Sequence, residues 1–587
     1  MKRKSIYTIL GIALLLTMQY ACKDSFLNTL PPAVASDVLL ANEKGVNLVL
    51  IGAYSAIEGK VLIDNETSWG GAVSNWVWGD VMSDDATKGS SRGDQPPLLA
   101  LENCTAIPSN DYTRFKWFCN YAGIGRTNDV LRVMAKCNPA LPDATQTSIK
   151  AQVSFIRAFM HFELKRVFNN IPYTTETDDA KKVPNNIDAW PLIEKDLQYA
   201  VANLPLTQAD VGRPTKYAAE AVLARVLMFQ KKWDQAKVLL DDIINSGKFS
   251  LMPNFGDNFL PQKRNNHESV FEIQYNVNDG SYGSQNAGYG DDLCFPIETD
   301  GKGTCCGFHN PTENLVNAFQ VDANGLPLLN GPVPNFKHDQ GIHSNELFVQ
   351  DTITPVDPRL DLTVGRRGVP YLDWGIHRGF SWIREQVSAG PYDNKKTMFW
   401  KKDKGIESTT TGWAIGVNDN NYRPYRYGHI LLWRAECAAE SASPDFAYAT
   451  TLVNMLRTRA ANQIVMGRCR TFVLNSQDGL KVDYTVPATN YVVKPYPAFS
   501  DLDYARKAIR METRLEFAME GMRHFDLVRW GIAEPTMNAY MEQDRGIRDY
   551  FGGTIPSHFT ANKNEYCPIP QGQIDLQPGV LTQNPGW

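Results

Sequence analysis

The stretch that decides the fold is IRMETRLEFAMEGMRHFDLVRWG, residues 509–531. Three carboxylates recur at four-residue steps and would share one face of a helix: Glu512, Glu516 and Glu520. Three guanidinium groups form a second row, almost opposite the first: Arg506, Arg510 and Arg514. Apolar side chains between the rows form a stripe of the kind that packs against a neighbouring helix. The pattern predicts a helix that serves either as a catalytic carboxylate cluster or as part of a charged scaffold.

The carboxylates can be tested against glycosidase geometry. A glycosidase uses two carboxyl groups about 5–10 Å apart that flank the scissile sugar bond. Glutamates four residues apart on a helix lie about 5–6 Å apart, so Glu512 and Glu516 meet that separation. Side chains on one helical face nevertheless point the same way and cannot easily reach opposite sides of a bond. We therefore interpret the stretch as a scaffold helix whose charged rows form ion pairs with neighbouring helices.

The beginning of the chain has the organisation of an exported lipoprotein. MKRKS is basic, and IYTILGIALLLT is an apolar run that is too short to span a bilayer comfortably. Cys22 directly follows Ala21 and resembles the lipidated cysteine of a bacterial lipobox, although Gln19 stands where that motif prefers Leu. The sequence predicts a signal peptide at 1–21, a lipid on Cys22 and an extended tether at 22–36. Ordinary secretion is the alternative.

Charge and hydropathy argue against a nucleic-acid-binding protein and against membrane-spanning helices after the signal peptide. The chain has 587 residues, of which 43% are hydrophobic, and its formal net charge is −5. The charge becomes −8 once Lys2, Arg3 and Lys4 leave with the signal peptide. No basic block is present, so nucleic acid is not expected as a partner. Since no later run of 18 apolar residues exists, we expect a soluble body held at the membrane by its N-terminal lipid.

Cysteine usage and motif spacing predict no cofactor. The nine cysteines after Cys22 are too few for a disulfide scaffold, and free buried thiols with one or two disulfides are expected. No spacing of His, Cys, Asp or Glu predicts a metal site. GKGTCCG, which begins at residue 301, only imitates a dinucleotide-binding loop, because it has one residue too many and lacks a preceding βαβ pattern.

Helical periodicity dominates both ends of the chain. Apolar residues recur at three- and four-residue steps in TSIKAQVSFIRAFMHFELKRVF (147–168). YAAEAVLARVLMFQKKWDQAKVLLDDIINSGKF (217–249) reads as two helices joined by a short turn. Such pairs resemble tetratricopeptide-like repeats, although a clean period of about 34 residues is missing. The sequence predicts a mainly α-helical solenoid built from an N-terminal helical part at 37–250 and a C-terminal helical part with a tail at 421–587.

The region between the helical parts, 251–420, has a different composition. Gly, Asn, Asp and aromatic residues dominate it, and only short pieces such as VFEIQY (270–275) have the character of strands. A long loop-rich region inside a compact protein is usually functional. We expect this region to contain few short strands and to carry the ligand-binding face.

Several motifs in a fixed order resemble the SusD/RagB family of outer-membrane nutrient-binding lipoproteins. Besides Cys22 after its signal, the motifs are ETRLEFAMEGMRHFDLVRWG, SFIRAFMHFELKRVFNNIPY, GRPTKYAAEAVLARVLMFQKKWDQA, PTENLVNAF, DPRLDLTV, YRYGHILLWRAECAAE and EYCPIPQGQIDLQPGVLTQNPGW. The resemblance implies tetratricopeptide-like helical pairs that carry a large loop-rich ligand face, with the Glu–Arg helix in a structural role.

The same resemblance implies a function. It implies a non-catalytic, lipid-anchored receptor at the surface of the outer membrane, which captures oligosaccharides and passes them to a TonB-dependent transporter of the SusC type. A peptide-binding RagB-like receptor is the nearest alternative, and an exported glycosidase is a distant one.

Aromatic rings in polar, Gly-rich loops are the candidate sugar platforms, because apolar C–H faces of sugars pack on rings while hydroxyls need polar partners. SWGGAVSNWVWGDVMSDD (68–85) and NDGSYGSQNAGYGDD (278–292) have this composition, and a weaker set comprises Trp374, Trp382 and Trp413. The candidate ligand-binding residues are Trp69, Asn75, Trp76, Trp78, Asp80, Tyr282, Tyr289 and Trp374. Trp76 and Trp78 would share one face of an extended segment, so one of the two could instead belong to the core. The loops of this family vary greatly, and no ligand residue is transferred by motif.

Overall fold

A computed structural model describes residues 37–60, 65–280, 286–297, 306–331, 336, 339, 342, 351–410, 417–471, 481–544 and 557–587. The predicted signal peptide, Cys22 and the tether at 22–36 lie outside these residues. Among the described residues, no helix combines the length and the apolar character needed to cross a membrane.

Most of the regular structure is α-helical. In chain order the α-helices are α1 (Asp37–Leu40), α2 (Glu43–Ser55), α3 (Asn65–Gly71), α4 (Pro96–Glu102), α5 (Asp111–Met134), α6 (Asp143–Phe168), α7 (Trp190–Asn203), α8 (Lys216–Phe229), α9 (Trp233–Asn245), α10 (Glu313–Ala318), α11 (Arg359–Thr363), α12 (Gln386–Ala389), α13 (Tyr427–Glu440), α14 (Phe446–Ala460), α15 (Leu502–Phe517), α16 (Arg523–Trp530), α17 (Ala533–Asp544) and α18 (Gln571–Leu576). A π-helix lies at Trp76–Val81. Short 3₁₀-helices lie at Ala180–Lys182, Phe255–Phe259, Pro261–Lys263, Tyr289–Asp291, Gly379–Trp382 and Lys401–Asp403.

The strands are short and pair two by two. They are β1 (Ala86–Gly89), β2 (Ser269–Ile273), β3 (Phe308–Pro311), β4 (Val364–Gly365), β5 (Asp393–Asn394), β6 (Tyr422–Arg426), β7 (Met466–Thr471) and β8 (Lys481–Pro487). The pairs β1–β3, β2–β6, β4–β5 and β7–β8 are all antiparallel. The predicted mainly helical fold with few short strands is confirmed.

Helices that follow one another in the chain pack side by side and form the scaffold. The succession runs through α5, α6, α7, α8, α9, α13, α14 and α15. Local sequence sets the helix ends: α7 stops two residues before Pro205, and the side chain of Thr215 caps α8 by accepting the N–H of Ala218 at 3.3 Å. Helix α6 is buried on all sides from Ala151 to Phe168 and forms the centre of the core.

The chain between α9 and α13 forms an insertion that is fastened to the scaffold at its base. Strand β2 near its start pairs with β6 at its end, with Ser269 opposite Arg426. The Phe271 ring packs against Phe155 and Phe159 of α6, at centroid distances of 5.0 and 6.2 Å. This sheet therefore ties the loop-rich region directly to the central helix.

The stretch 509–531 forms two helices with a tight turn between them. Helix α15 ends at Phe517, and Met519 and Gly521 have positive φ angles of 63° and 76°. The turn crosses segment 74–79 so closely that a Cβ on Gly521 would lie 1.8 Å from the carbonyl oxygen of Ser74. The prediction that Glu520 shares the helical face of Glu512 is therefore wrong, because this crossing ends the helix before residue 520.

Candidate functional site

The carboxylates of α15 are enclosed by guanidinium groups. Glu512 and Glu516 are fully buried, and Arg359 contacts both, at 2.7 and 3.0 Å. Arg426 donates to Glu516 at 2.6 Å, and Arg459 contacts the same oxygen. Burial alone would raise the pKa of Glu516, but the three guanidinium groups hold that pKa well below its usual range. A buried, ionised and fully paired carboxylate serves the scaffold and is poorly placed to meet a substrate.

The tryptophans of segment 68–85 lie in the core. Trp69, Trp76 and Trp78 are 7%, 1% and 1% exposed. Each indole N–H donates to an internal oxygen: Trp69 to Asp292 at 2.6 Å, Trp76 to the carbonyl of Gly290 at 2.8 Å, and Trp78 to that of Gly70 at 2.8 Å. The predicted exposed platform is therefore wrong, because the π-helix that carries two of the rings is buried along its whole length.

The polar candidates of the same segment bind internal partners. The Asn75 amide donates to Glu163 and accepts from the Lys116 ammonium, both at 2.8 Å. Asp80 accepts the backbone N–H of Gly521 at 2.8 Å, and its carboxylate lies 3.0 Å from Nε2 of His309. Both side chains are buried and hold segment 74–80 against its neighbours, contrary to the expectation that they line an open loop.

The remaining predicted rings differ in how far they are reachable. Tyr289 is half-buried, and the Lys60 ammonium lies 3.6 Å from its ring centroid. Trp374 is 4% exposed, donates to the carbonyl of Phe399 at 2.8 Å and belongs to a buried aromatic cluster. Tyr282 and Trp413 lie outside the described residues. Glycan contact by any of the sequence-predicted residues stays a prediction, and among the described ones only the Tyr289 ring is partly reachable.

One cavity reaches the predicted ring Trp76 but is very small. This inner cavity has a volume of about 60 Å³ and is lined by Trp76, Asp291, His309 and Glu520 among others. Sites for small molecules usually measure about 300–1,000 Å³, whereas a water molecule takes about 30 Å³. The inner cavity thus has room for water but not for a sugar ring.

A larger cavity opens elsewhere on the surface. This outer cavity has a volume of about 490 Å³ and lies between the C-terminal end of α2, loop 210–213 and strand β2 with its continuation. Its lining residues are Ile51, Tyr54, Ser55, Ile57, Glu58, Asp210, Val211, Gly212, Arg213, Phe271, Glu272, Ile273, Gln274, Tyr275, Asn276, Asp279 and Asn286. Of these residues, the sequence analysis included only Asp279 and Asn286, as part of the loop 278–292. It missed the others because the cavity joins three segments that are far apart in the chain. Their only local signal is the alternation of apolar and amide residues after VFEI.

Hydrogen bonds fix the side chains at the centre of the outer cavity. The Tyr54 hydroxyl and the Arg213 guanidinium both donate to Oε1 of Gln152 at 2.8 Å, and the guanidinium lies 5.6 Å from the Tyr54 ring centroid. Burial raises the pKa of Glu58 to about 8, although Lys60 and Arg126 oppose the shift. The cavity therefore combines an oriented ring, a cation and a carboxyl group that is largely protonated near neutral pH.

The sequence and the architecture are similar to those of known proteins. Two family models match the chain, one described as SusD family over residues 267–587 and one described as starch-binding associating with outer membrane over residues 25–228. SusD-like protein P2 of Formosa agariphila is 25% identical to this chain, and the match covers 99% of both proteins.

Solved structures share the fold. Surface glycan-binding protein A from Bacteroides fluxus is 22% identical, with a TM-score of 0.66 over 93% of this chain and 100% of that chain. Surface glycan-binding protein A from Bacteroides thetaiotaomicron, in complex with laminarihexaose, is 20% identical, with a TM-score of 0.64 over 92% and 99% of the two chains. Likeness at this level of identity concerns the fold alone, but the first family model covers more than half of the sequence. The chain therefore belongs to the SusD family.

Proposed function

We propose that this protein is a glycan-binding lipoprotein of the outer membrane. It captures oligosaccharides at the cell surface and delivers them to a TonB-dependent transporter of the SusC type. The observation that carries the proposal is the match of both family models across residues 25–228 and 267–587, one of which is described by starch binding at the outer membrane. The similar fold of a protein in complex with laminarihexaose supports a saccharide as the ligand.

The arrangement of the charged groups supports capture without catalysis. Hydrolysis of a sugar bond needs two carboxyl groups that face the substrate from both sides. Glu512 and Glu516 are instead shared among buried guanidinium groups, which stabilise their charge and separate them from solvent. A binding protein needs no such pair of carboxyl groups, and ligand-binding residues lie disproportionately on loops that a scaffold positions, as in the insertion fastened to α6.

A binding screen tests the proposal. The purified chain without residues 1–21 is titrated by calorimetry with neutral hexasaccharides of glucose and mannose in different linkages, beginning with laminarihexaose. We expect saturable binding of at least one saccharide, with the sugar recovered intact by chromatography. Saturable binding of peptides with no saccharide bound would favour the peptide receptor, and shortened sugar chains would favour the glycosidase.

A further inference from the structure

The outer cavity has the size and the openness of a ligand site. Its volume of about 490 Å³ falls within the usual range of about 300–1,000 Å³ for small-molecule sites. Solvent reaches it, because Ile51, Val211, Gln274 and Asn276 on its walls are all exposed.

One wall presents amides to the cavity. Burial alternates along 273–277, as in an extended chain, so the side chains of Gln274 and Asn276 project to the same side. The Gln274 amide is satisfied within the protein: Oε1 accepts from Asn265 at 2.9 Å and from Asn421 at 3.0 Å, and Nε2 donates to Asn265 at 3.0 Å and to the carbonyl of Glu272 at 3.1 Å. The Asn276 side chain makes no hydrogen bond to any residue that the structure describes. A primary amide donates and accepts at once, as does a sugar hydroxyl, so this wall suits a ligand rich in hydroxyl groups.

A second part of the cavity lining is apolar. Ile51 and Val211 are 53% and 68% exposed, which is high for large aliphatic side chains beside a polar cavity. The Tyr54 ring lies next to them and is held in place through its hydroxyl. A sugar ring has an apolar C–H face and a polar edge, and these two parts of the lining offer one partner for each.

The charges of the cavity disfavour an anion. Its lining includes one guanidinium group and four carboxyl groups, of which only Glu58 is largely protonated near neutral pH: Arg213, Asp210, Glu272, Asp279 and Glu58. Arg213 already pairs with Asp210 at 2.9 Å, and Glu272 pairs with Arg423 at 2.9 Å. The Glu58 carboxyl makes no hydrogen bond within the described part of the chain. With no surplus positive charge, the cavity would repel a uronate or a sulfated sugar.

We infer that the outer cavity binds a neutral segment of an oligosaccharide. Asn276 bonds to its hydroxyls, and Ile51, Val211 and Tyr54 cover its apolar face. The inference rests on the proposed function and assigns it a site and a ligand charge.

The test uses the neutral hexasaccharide that the wild-type chain binds most tightly in a calorimetric screen. The variant Asn276→Ala should bind it at least tenfold more weakly, because the amide that is free to meet the ligand is lost. The matched control is Asn245→Ala, which removes the same amide from an exposed position on α9 and should bind like wild type.

A second variant tests the cavity without changing its amides. Ser55→Trp fills the cavity from an exposed position on α2 and leaves Asn276 in place. It should abolish binding while the melting temperature stays at the wild-type value.

The possible results show whether the site, the charge of the ligand or the proposed function is wrong. Wild-type affinity in both variants overturns the site and leaves the proposed function intact. Tighter binding of hexagalacturonate than of neutral hexasaccharides by the wild type overturns the assignment of a neutral ligand. Failure of the wild type to bind any saccharide contradicts the proposed function, and the inference with it.

Discussion

Replacing Glu516 by glutamine would remove one negative charge from a site where three guanidinium groups meet. Breaking a buried ion pair by removing one partner costs about 3–5 kcal/mol, whereas exposed pairs contribute little. We expect Glu516→Gln to lower the free energy of unfolding by about 3–5 kcal/mol in a denaturant titration. Asp503→Asn on the same helix breaks the exposed pair with Lys507 and should have no measurable effect. Equal losses in the two variants would contradict the scaffold role of Glu516.

Glu58 gives the stability a dependence on pH. Burial raises its pKa to about 8, so the folded protein keeps a proton that the unfolded chain loses above about pH 4.3. Stability should therefore fall between about pH 4.5 and pH 8 and then level off, since above pH 8 both states are ionised. Glu58→Gln removes this penalty and should stabilise the protein by up to about 5 kcal/mol at pH 8 but not at pH 4.5. Thermal melts at the two pH values check this, and an equal shift at both would refute it.

Single residues also show where sequence reasoning reaches its limit. The repeated spacing of Glu512 and Glu516 predicts their shared face, because charge and periodicity are local properties. The burial of Trp76 and Trp78 is not a local property. The polar, Gly-rich composition of segment 68–85 is typical of an exposed loop, but segments from elsewhere in the chain cover it. Gln274 and Asn276 are inconspicuous in the sequence, since the rest of the cavity comes mainly from α2 and loop 210–213.

At the scale of elements, the crossing of the π-helix and the turn after α15 depends on two glycines. A Cβ on Gly79 would lie 1.9 Å from the carbonyl oxygen of Gly521. Moving either backbone away would displace the π-helix that carries Trp76 and Trp78. We expect Gly79→Ala to cost about 1–3 kcal/mol or more, because the added Cβ collides with the backbone of Gly521. Gly52→Ala is the control, because a Cβ at Gly52 in α2 meets nothing within 4 Å. That change should leave stability unchanged or raise it by up to about 1 kcal/mol in the same denaturant titration.

The helices could be predicted from the sequence more fully than the strand pairing and the turns. Helices α6 to α9 follow from apolar steps of three and four residues, and Pro205 and Thr215 mark their ends. Strand pairing joins segments far apart in the chain, so the contact of β2 with β6 could not be read from VFEIQY alone. The turn at 518–522 could not be predicted, because the stretch has a helical pattern throughout and the turn depends on a contact with the segment near residue 79.

At the scale of the whole molecule, the decisive prediction concerns the lipid on Cys22. Attachment through several acyl chains holds a protein far more firmly than one chain does. Cys22→Ala should therefore shift the protein from the outer-membrane fraction to the soluble fraction, as followed by immunoblot. Cys469→Ala removes another cysteine, in strand β7, and should leave the distribution unchanged. Membrane association of Cys22→Ala at the wild-type level would refute lipidation at this residue.

The pairing of β2 with β6 brings the two ends of the loop-rich insertion together. The chain leaves and rejoins the helical scaffold at adjacent positions, with Ser269 opposite Arg426. Loop closure becomes only about 0.6 kcal/mol costlier with each doubling of length, so chain entropy sets little limit on the length of the insertion. Packing sets a stricter limit, because Arg359 inside the insertion is fully buried against Glu512 and Glu516. Evolution can therefore lengthen the exposed stretches of the insertion more readily than it can exchange the whole insertion.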